Sequence, residues 1–337
     1  MDEQQLLRHR LLDEGVIRSD SAKMTPLVGG ISSEIYRVVD GEQTFVVKRA
    51  LKQLRVEQPW FANTARNQYE QAFLRYVAGF RPDAVPRLIF SNPTVDYFCM
   101  EYLSGFSNWK EDLLAAPCDE NLCHANLSDS AGTLLAQIHA HSWGDPAAER
   151  DFDTTENFEQ LRIDPYLRAT AAKNPALAEP ILLEADRLRQ SRKCLVHGDF
   201  SPKNLLHREG RLVVLDCEVA WYGDPAFDMA FFLNHLCLKA LYHLPKRPPL
   251  AMFVEAAWEA YQKTNPHALQ IEAHTSRLLP MLLLARVDGK SPVEYLTDDG
   301  KLRCIREFAS AQILRASPLD LSSLLEDWFT HIHRLQP

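Results

Sequence analysis

The stretch LVHGDFSPKNLL, Leu195 to Leu206, sets an imidazole, a carboxylate, an ammonium and an amide between two apolar pairs. Asp199 and Asn204 are separated by four residues, and Asp216 follows at the end of the apolar run Val213–Leu215. That set suits phosphoryl transfer. One carboxylate must orient an acceptor hydroxyl and accept its proton, and oxygen ligands must hold Mg²⁺ against a triphosphate. Leu195-Val196 and Leu205-Leu206 would anchor the two ends of the loop in a core. A polar hairpin closed by an Asx turn is the plainer reading, and His197-Gly198-Asp199 alone fits it as well. Asn204 and Asp216 at these spacings weigh against it.

Such groups need a scaffold, and the chain supplies two kinds. Residues 1–103 read as strands with one main helix. Thr25–Val28 is a short apolar run before Gly29-Gly30. Ile35–Val39 and Thr44–Lys48 flank Asp40-Gly41, a strong hairpin signal. Thr64–Ala78 carries helical periodicity, and Arg87–Phe90 and Val95–Met100 read as two more strands. Leu6, Leu7 and Leu11 suit a short amphipathic helix ending at Gly15. After Gly105 long helical patterns take over: Ser128–His141, Asn157–Ala171, Pro175–Gln190, Asp228–Tyr242, Met252–Lys263, His267–Val287, Leu302–Ala316 and Ser322–Leu335. They are interrupted by one β-rich island, Cys194–Leu215. Asp145–Glu156 reads as a polar surface connection. The expected fold is α+β, with a small antiparallel β lobe over residues 1–103, a hinge at 100–104, and a larger, mainly helical lobe over 104–337. The large lobe would hold a catalytic loop at 195–206 and a metal-binding strand end at 212–218.

HGDFSPKNLL followed by VLDCEVAWYGDPAFDMA resembles the aminoglycoside phosphotransferase and choline kinase family, small-molecule kinases with a protein-kinase-like fold. The resemblance runs from about Leu27 to Phe232. It has HGD where protein kinases have HRD, with the same D-x-x-x-x-N spacing. It implies Asp199 as the catalytic base and Asn204 and Asp216 as Mg²⁺ ligands, with His197 a structural loop residue. Lys203 either reaches the transferred phosphate or faces solvent. Glu218, two residues past Asp216, either approaches a second metal or the substrate, or is a solvated carboxylate at a strand end. Asp224 suits a helix N-cap with Pro225 at the first helical position. The resemblance makes Asp228 a brace of the catalytic loop, so Asp224 and Asp228 read as supports.

The N-terminal lobe would then clamp ATP. FVVK, Phe45–Lys48, parallels the strand whose lysine meets the α- and β-phosphates, which assigns Lys48 to that role. Glu70, mid-helix in RNQYEQAFLRYV, is its natural ion-pair partner; Glu57 competes but precedes Pro59. The phosphate loop GGISSEIYRV, Gly29–Val38, lacks the G-x-G-x-x-G of protein kinases. Ser32 and Ser33 would offer hydroxyl and backbone N–H donors there, or the glycines merely turn a hairpin. By resemblance, Met100–Leu103 is the hinge: Met100 abuts the adenine, and the carbonyl of Glu101 and the N–H of Leu103 bond to it.

ARVDGKSPVEYL, Ala285–Leu296, is left over. Arg286, Asp288 or Lys290 would either line an acceptor pocket or build a structural turn with a helix-end cation. The net charge of −8 argues against a nucleic-acid or membrane-surface partner. Residues 1–103 balance at 13 basic and 13 acidic side chains, so the acidic surplus lies after them. That surplus leans toward a small, amine-bearing hydroxyl acceptor, although ordinary solubility explains it equally well. Seven scattered cysteines without a C-x-x-C pair point to a reducing cytoplasm. Cys118, Cys123 and His124 lack zinc spacing. The N-terminus carries no signal-peptide pattern and no run reaches membrane-span length. The expected activity is an ATP- and Mg²⁺-dependent kinase of a small hydroxyl compound: an aminoglycoside, choline or ethanolamine, a sugar or an amino alcohol. The rival from another class is a nucleotide-binding pseudokinase with a regulatory role, but such proteins usually lose the lysine, the base or a metal ligand. A protein kinase is disfavoured by HGD and by the missing Asp-Phe-Gly and Ala-Pro-Glu segments.

Overall fold

The computed structural model describes residues 3–27, 33–51, 65–115, 121–244 and 248–335. Val28, Gly29, Gly30, Ser32, Glu57, Pro59, Thr64 and Cys118, and the side chains of Cys123 and His124, lie outside the described residues. The chain divides into two units, Met1–Phe106 and Ser107–Pro337.

In the first unit, Asp40-Gly41 turns β2 (Ser33–Asp40) back onto β3 (Gln43–Ala50). Gly41 has φ +60°, a left-handed conformation that costs glycine no Cβ clash. With β1 (Lys23–Pro26), β4 (Leu88–Ser91) and β5 (Tyr97–Glu101) they form an antiparallel sheet in the order β1-β2-β3-β5-β4. Alternation along β3 separates its side chains into two faces. Phe45 and Val47 join Val38, Tyr97 and Cys99 in a core closed by Leu7 and Leu11 of α1 (Glu3–Asp13). Lys48 has the opposite parity and meets α2 (Arg66–Ala78), which buries Glu70, Phe73, Leu74 and Val77.

The second unit opens with β6 (Ser107–Asn108), which pairs with β8 (Leu205–Arg208), itself paired with β9 (Arg211–Val214). That pairing ties the first residues past Phe106 to the larger unit. A second small ladder joins β7 (Cys194–Val196) to β10 (Trp221–Gly223). The HGD loop spans the gap between β7 and β8. Helices surround these ladders: α3 (Trp109–Ala115), α4 (Asn121–Ser142), α5 (Pro146–Asp151), α6 (Thr155–Phe158), α7 (Ala169–Lys173) and α8 (Ala178–Gln190). After β10 come α9 (Ala226–Tyr242), α10 (Pro248–Thr264), α11 (Ala268–Asp288), α12 (Asp299–Ile313) and α13 (Leu321–His333). Asp145–Glu156 is more than a connection: it folds into α5 and the start of α6, with Asp145 capping α5 by accepting from Ala147 N at 2.9 Å.

Two helical segments depart from the ordinary amphipathic α-helix. Helix α9 is mostly apolar and buried from Ala226 to Leu241, as expected of a core helix packed by α10 and α11. Between α6 and α7 the chain winds as a π-helix, Glu159–Arg168, around Pro165. Proline has no N–H to give an α-helical ladder, and the wider π turn absorbs the break. No helix among the described residues is long and apolar enough to cross a membrane.

Candidate active site

The HGD loop is held from several sides. Asp228, in the first turn of α9 and fully buried, accepts from His197 N at 2.6 Å through Oδ2 and from Gly198 N at 2.8 Å through Oδ1. His139 contacts the same Oδ2 at 3.3 Å and is itself held by Tyr261 Oη at 2.9 Å. Hydrogen bonds to a buried carboxylate are worth roughly 1.5–3 kcal/mol each, so this one side chain fixes two successive amides firmly. Gly198 has φ +78°, and a Cβ there would lie 2.6 Å from Val219 O; only glycine fits. His197 is buried, and burial holds its pKa below the usual range despite the nearby carboxylates. Its Nδ1 accepts from Asp199 N at 3.1 Å and its Nε2 donates to Leu215 O at 3.1 Å. Both ring nitrogens are therefore used in holding backbone. Phe200 anchors the loop in the core, edge-on to His197 and Phe232.

Asn204 donates Nδ2 to the Asp199 carbonyl at 2.9 Å, leaving its side-chain oxygen as the atom for a cation. Its own carbonyl accepts from Leu215 N at 2.9 Å, which fixes Asn204 against the strand end that carries Asp216. Asp216 is half-buried with φ +61°, a conformation uncommon outside glycine that tends to persist where surrounding structure over-determines it. An amide oxygen and a carboxylate are the hard donors that Mg²⁺ takes, so the donor set fits that ion. Glu218 is 6% exposed, so it is not the solvated strand-end carboxylate that the sequence left open. Asp224 accepts from Ala226 N at 3.0 Å at the start of α9, ion-pairs with Arg187 and lies 3.9 Å from Lys193.

Asp199 is buried and has two cations beside it. Arg162 Nη2 lies 3.2 Å from Oδ2 and Lys203 Nζ lies 2.9 Å from the same oxygen. Burial alone would raise the Asp199 pKa; Lys203 and Arg162 outweigh it and hold the carboxyl below its usual range. Sequence reasoning missed Arg162. It comes from the π-helix, where it also bonds the carbonyls of Leu161 and Gly198, and no local motif marks it. Lys203 is 45% exposed at its side chain while bonded to Asp199.

Asp199 lines a cavity of about 160 Å³ that lies wholly within the second unit. Its other charged walls are Lys110, Lys203, Lys239, Arg286 and Glu294. Tyr166, Phe231, His235 and Tyr295 contribute aromatic surface. The lining is thus mainly cationic. The lean toward an amine-bearing acceptor, drawn from the acidic surplus after residue 103, finds no match here: that surplus is a property of the whole lobe, and the cavity takes its charge from a few helix faces. Of the three candidates in the segment Ala285–Leu296, Arg286 reaches the cavity, joined there by Ser291, Pro292, Glu294 and Tyr295, whereas Asp288 pairs with Arg306 at 2.9 Å and the Lys290 backbone N–H donates to Pro165 O at 3.0 Å. Phe231, His235 and Lys239 sit at spacings of four on α9, which puts a histidine and a lysine on one line of a mostly apolar helix. That spacing was the available signal for them.

In the first unit, Lys48 Nζ lies 2.8 Å from Glu70 Oε1 and 2.7 Å from Oε2, both side chains 2% exposed. Ser33 is the first residue of β2, buried and in register with Ala50. Met100 is buried near the end of β5, Glu101 is its last residue, and Leu103 follows two residues on.

The model of the phosphotransferase enzyme family matches residues 23–271. Methylthioribose kinase of Geobacillus thermodenitrificans is 25% identical over 287 residues, 73% of this chain and 69% of that one. In fold the chain is similar to the ternary complex of streptomycin, ATP and APH(2″)-IIa, at a TM-score of 0.52 and 17% identity, covering 92% of this chain and 96% of that one. It is also similar to an ethanolamine kinase of Plasmodium vivax, at a TM-score of 0.56 and 11% identity, covering 99% and 88%. The family match spans most of the sequence and both units, the fold is the α+β bilobal kinase-like one, and the chain belongs to the phosphotransferase enzyme family as a small-molecule phosphotransferase that acts on a hydroxyl group.

Proposed function

We propose that the phosphoryl donor is ATP, taken with Mg²⁺, and that the acceptor is a hydroxyl of a compact sugar- or polyol-type molecule seated in the cavity beside Asp199. The observation that carries this reading is Asp199 itself: a buried carboxylate on a pinned loop, lining a cavity and flanked by Arg162 and Lys203. Asp199 accepts the hydrogen bond of the acceptor hydroxyl, aims its oxygen and takes its proton as the new bond forms. Arg162 keeps that carboxylate ionised and oriented. Lys203, exposed on its outer side, offers its charge to the transferring phosphoryl group. Asn204 and Asp216 hold the metal, which when bound neutralises charge on the triphosphate. Lys48, oriented by Glu70, meets the α- and β-phosphates, and the backbone at Glu101 and Leu103 meets the base beside Met100. Ser32 and Ser33 serve the phosphates, and Glu218 supports the metal end. Asp228 and His197 hold the loop, and Asp224 the start of α9. The ATP assignment also draws support from the ATP complex of similar fold. The buried cysteines Cys99, Cys194, Cys217, Cys237 and Cys304 are not joined in disulfides, which suits a reducing cytoplasm.

Catalysis on this reading is mostly positioning and electrostatics, with a proton-transfer share of about 10²–10⁴-fold. Asp199→Asn keeps the shape and removes the charge. ADP release dependent on acceptor should fall by about 10²–10⁴-fold, while ATP binding measured by calorimetry persists. Turnover at the parent rate would rule out Asp199 as the base.

A further inference from the structure

Lys239 is 1% exposed, and Arg286 is 8% exposed. Both line the cavity that holds Asp199. Among the described residues the Lys239 ammonium has no hydrogen-bond or ion-pair partner, and it stands over the face of Tyr295, 5.3 Å from the ring centre. Arg286 Nη1 donates to Tyr166 Oη at 3.1 Å and to Ser291 Oγ at 3.0 Å, both neutral oxygens. Its Nε is buried with no partner among the described residues, and so is the hydroxyl of Tyr295. The acids of the cavity are already engaged: Glu294 by Lys110, and Asp199 by Lys203 and Arg162. Buried charges are ordinarily paired, and an unpaired one is costly. Two buried cations and a phenol O–H therefore line one cavity in which neither carboxylate, Glu294 nor Asp199, forms an ion pair with them.

We infer that the acceptor carries an anionic oxygen group, a carboxylate or a phosphate ester, which binds Arg286, Lys239 and the Tyr295 hydroxyl while its free hydroxyl meets Asp199. This rests on the proposed kinase reading and names the acceptor class for the same site. The chemistry fits residue by residue. Arg286 offers the fork that recognises carboxylate and phosphate, and its unpartnered Nε is one prong of it. Lys239 supplies a point charge from the helix opposite, and Tyr295 a neutral donor. His235, next to them on α9, is kept neutral by burial and by the surrounding cations Arg286 and Lys239, so it can accept from an acceptor hydroxyl without adding charge.

The test measures acceptor-dependent ADP release with pairs that differ in one group: glycerol against glycerate, ribose against ribose 5-phosphate, and choline as the cation. The anionic member of a pair should show a kcat/KM at least 10-fold higher, through KM. A preference confined to glycerate assigns a carboxylate, and one confined to ribose 5-phosphate assigns a phosphate ester. Arg286→Gln and Lys239→Met should each cut the anionic-to-neutral ratio by 10-fold or more. Thermal melts in inorganic phosphate check that the variants are folded and have lost the phosphate-induced rise in Tm. Preferred turnover of glycerol, ribose or choline, with the ratio unmoved in both variants, overturns the anionic assignment and leaves the kinase intact. ADP release that no acceptor stimulates, and that Asp199→Asn does not lower, overturns the kinase reading itself.

Discussion

Lys48 and Lys239 are buried to almost the same depth, at 2% and 1% exposure, and their surroundings differ completely. Lys48 has both oxygens of Glu70 within 2.8 Å, a carboxylate delivered by the helix packed on its own strand. Lys239 has an aromatic face and, among its neighbours, two more cations, Lys110 and Arg286, against the single carboxylate of Glu294. The first lysine is complete within the folded chain. The second is complete only when something anionic arrives. A buried cation with an internal partner is thus a fixed tool, and one without is an address for a ligand.

The comparison breaks most easily at Glu70. Removing one partner of a buried pair leaves the other uncompensated, at a cost of about 3–5 kcal/mol. Glu70→Ala should lose that much in urea unfolding, and Lys48→Met/Glu70→Leu should recover much of it. A double variant as unstable as the single one would show that Lys48 needs no partner. At Lys239 the sign reverses. Burial, then Lys110 and Arg286, push its pKa down to about 7, with Glu294 acting the other way and His235 and Tyr295 sharing the cavity wall. The unfolded chain holds this proton up to about pH 10.4 and the folded chain releases it near 7, so stability rises with pH between the two. Below about pH 7 the folded state bears the full penalty of the buried ammonium. Lys239→Met should therefore stabilise the free protein by about 1–4 kcal/mol at pH 6 and flatten its Tm profile from pH 7 to 9. A lower Tm at pH 6 would mean that the ammonium is internally compensated after all. The smallest effect belongs to Arg81–Asp83, a pair that stays 32% and 56% exposed at 3.1 Å. Arg81→Ala should shift stability by less than about 1 kcal/mol, and less still in high salt.

What the sequence made legible was local. Asp40-Gly41 marked a hairpin, and the structure pairs the two flanking strands antiparallel across it. Glu70 stood in the next helix after Lys48 and could be paired with it on that ground alone. Asn204 and Asp216 stood out as candidates by their spacing. Arg162 did not, because it reaches Asp199 from a π turn 37 positions earlier in the sequence, and only the folded unit makes them neighbours. The charge of the cavity was equally hidden. An excess of acids over bases averages over a whole surface, whereas the cavity selects Lys239 from α9 and Arg286 from α11. The four-residue step from Phe231 through His235 to Lys239 carried the information, but it lay inside a helix whose other positions are mostly those of a plain core.

That helix also acts as a ruler. Asp228 in its first turn holds the amides of His197 and Gly198, and so sets where Asp199 stands. Lys239 lies eleven positions further along the same rod, about 16 Å by the rise of an α-helix. A buried helix packed by α10 and α11 cannot stretch or pivot at one end alone. In the proposed complex, the span between the hydroxyl that receives phosphate and the anionic group that anchors the molecule is therefore written into a single segment. Acceptors would be sorted by length as well as by charge, and a homologous series longer by one methylene at a time would read the graduation marks.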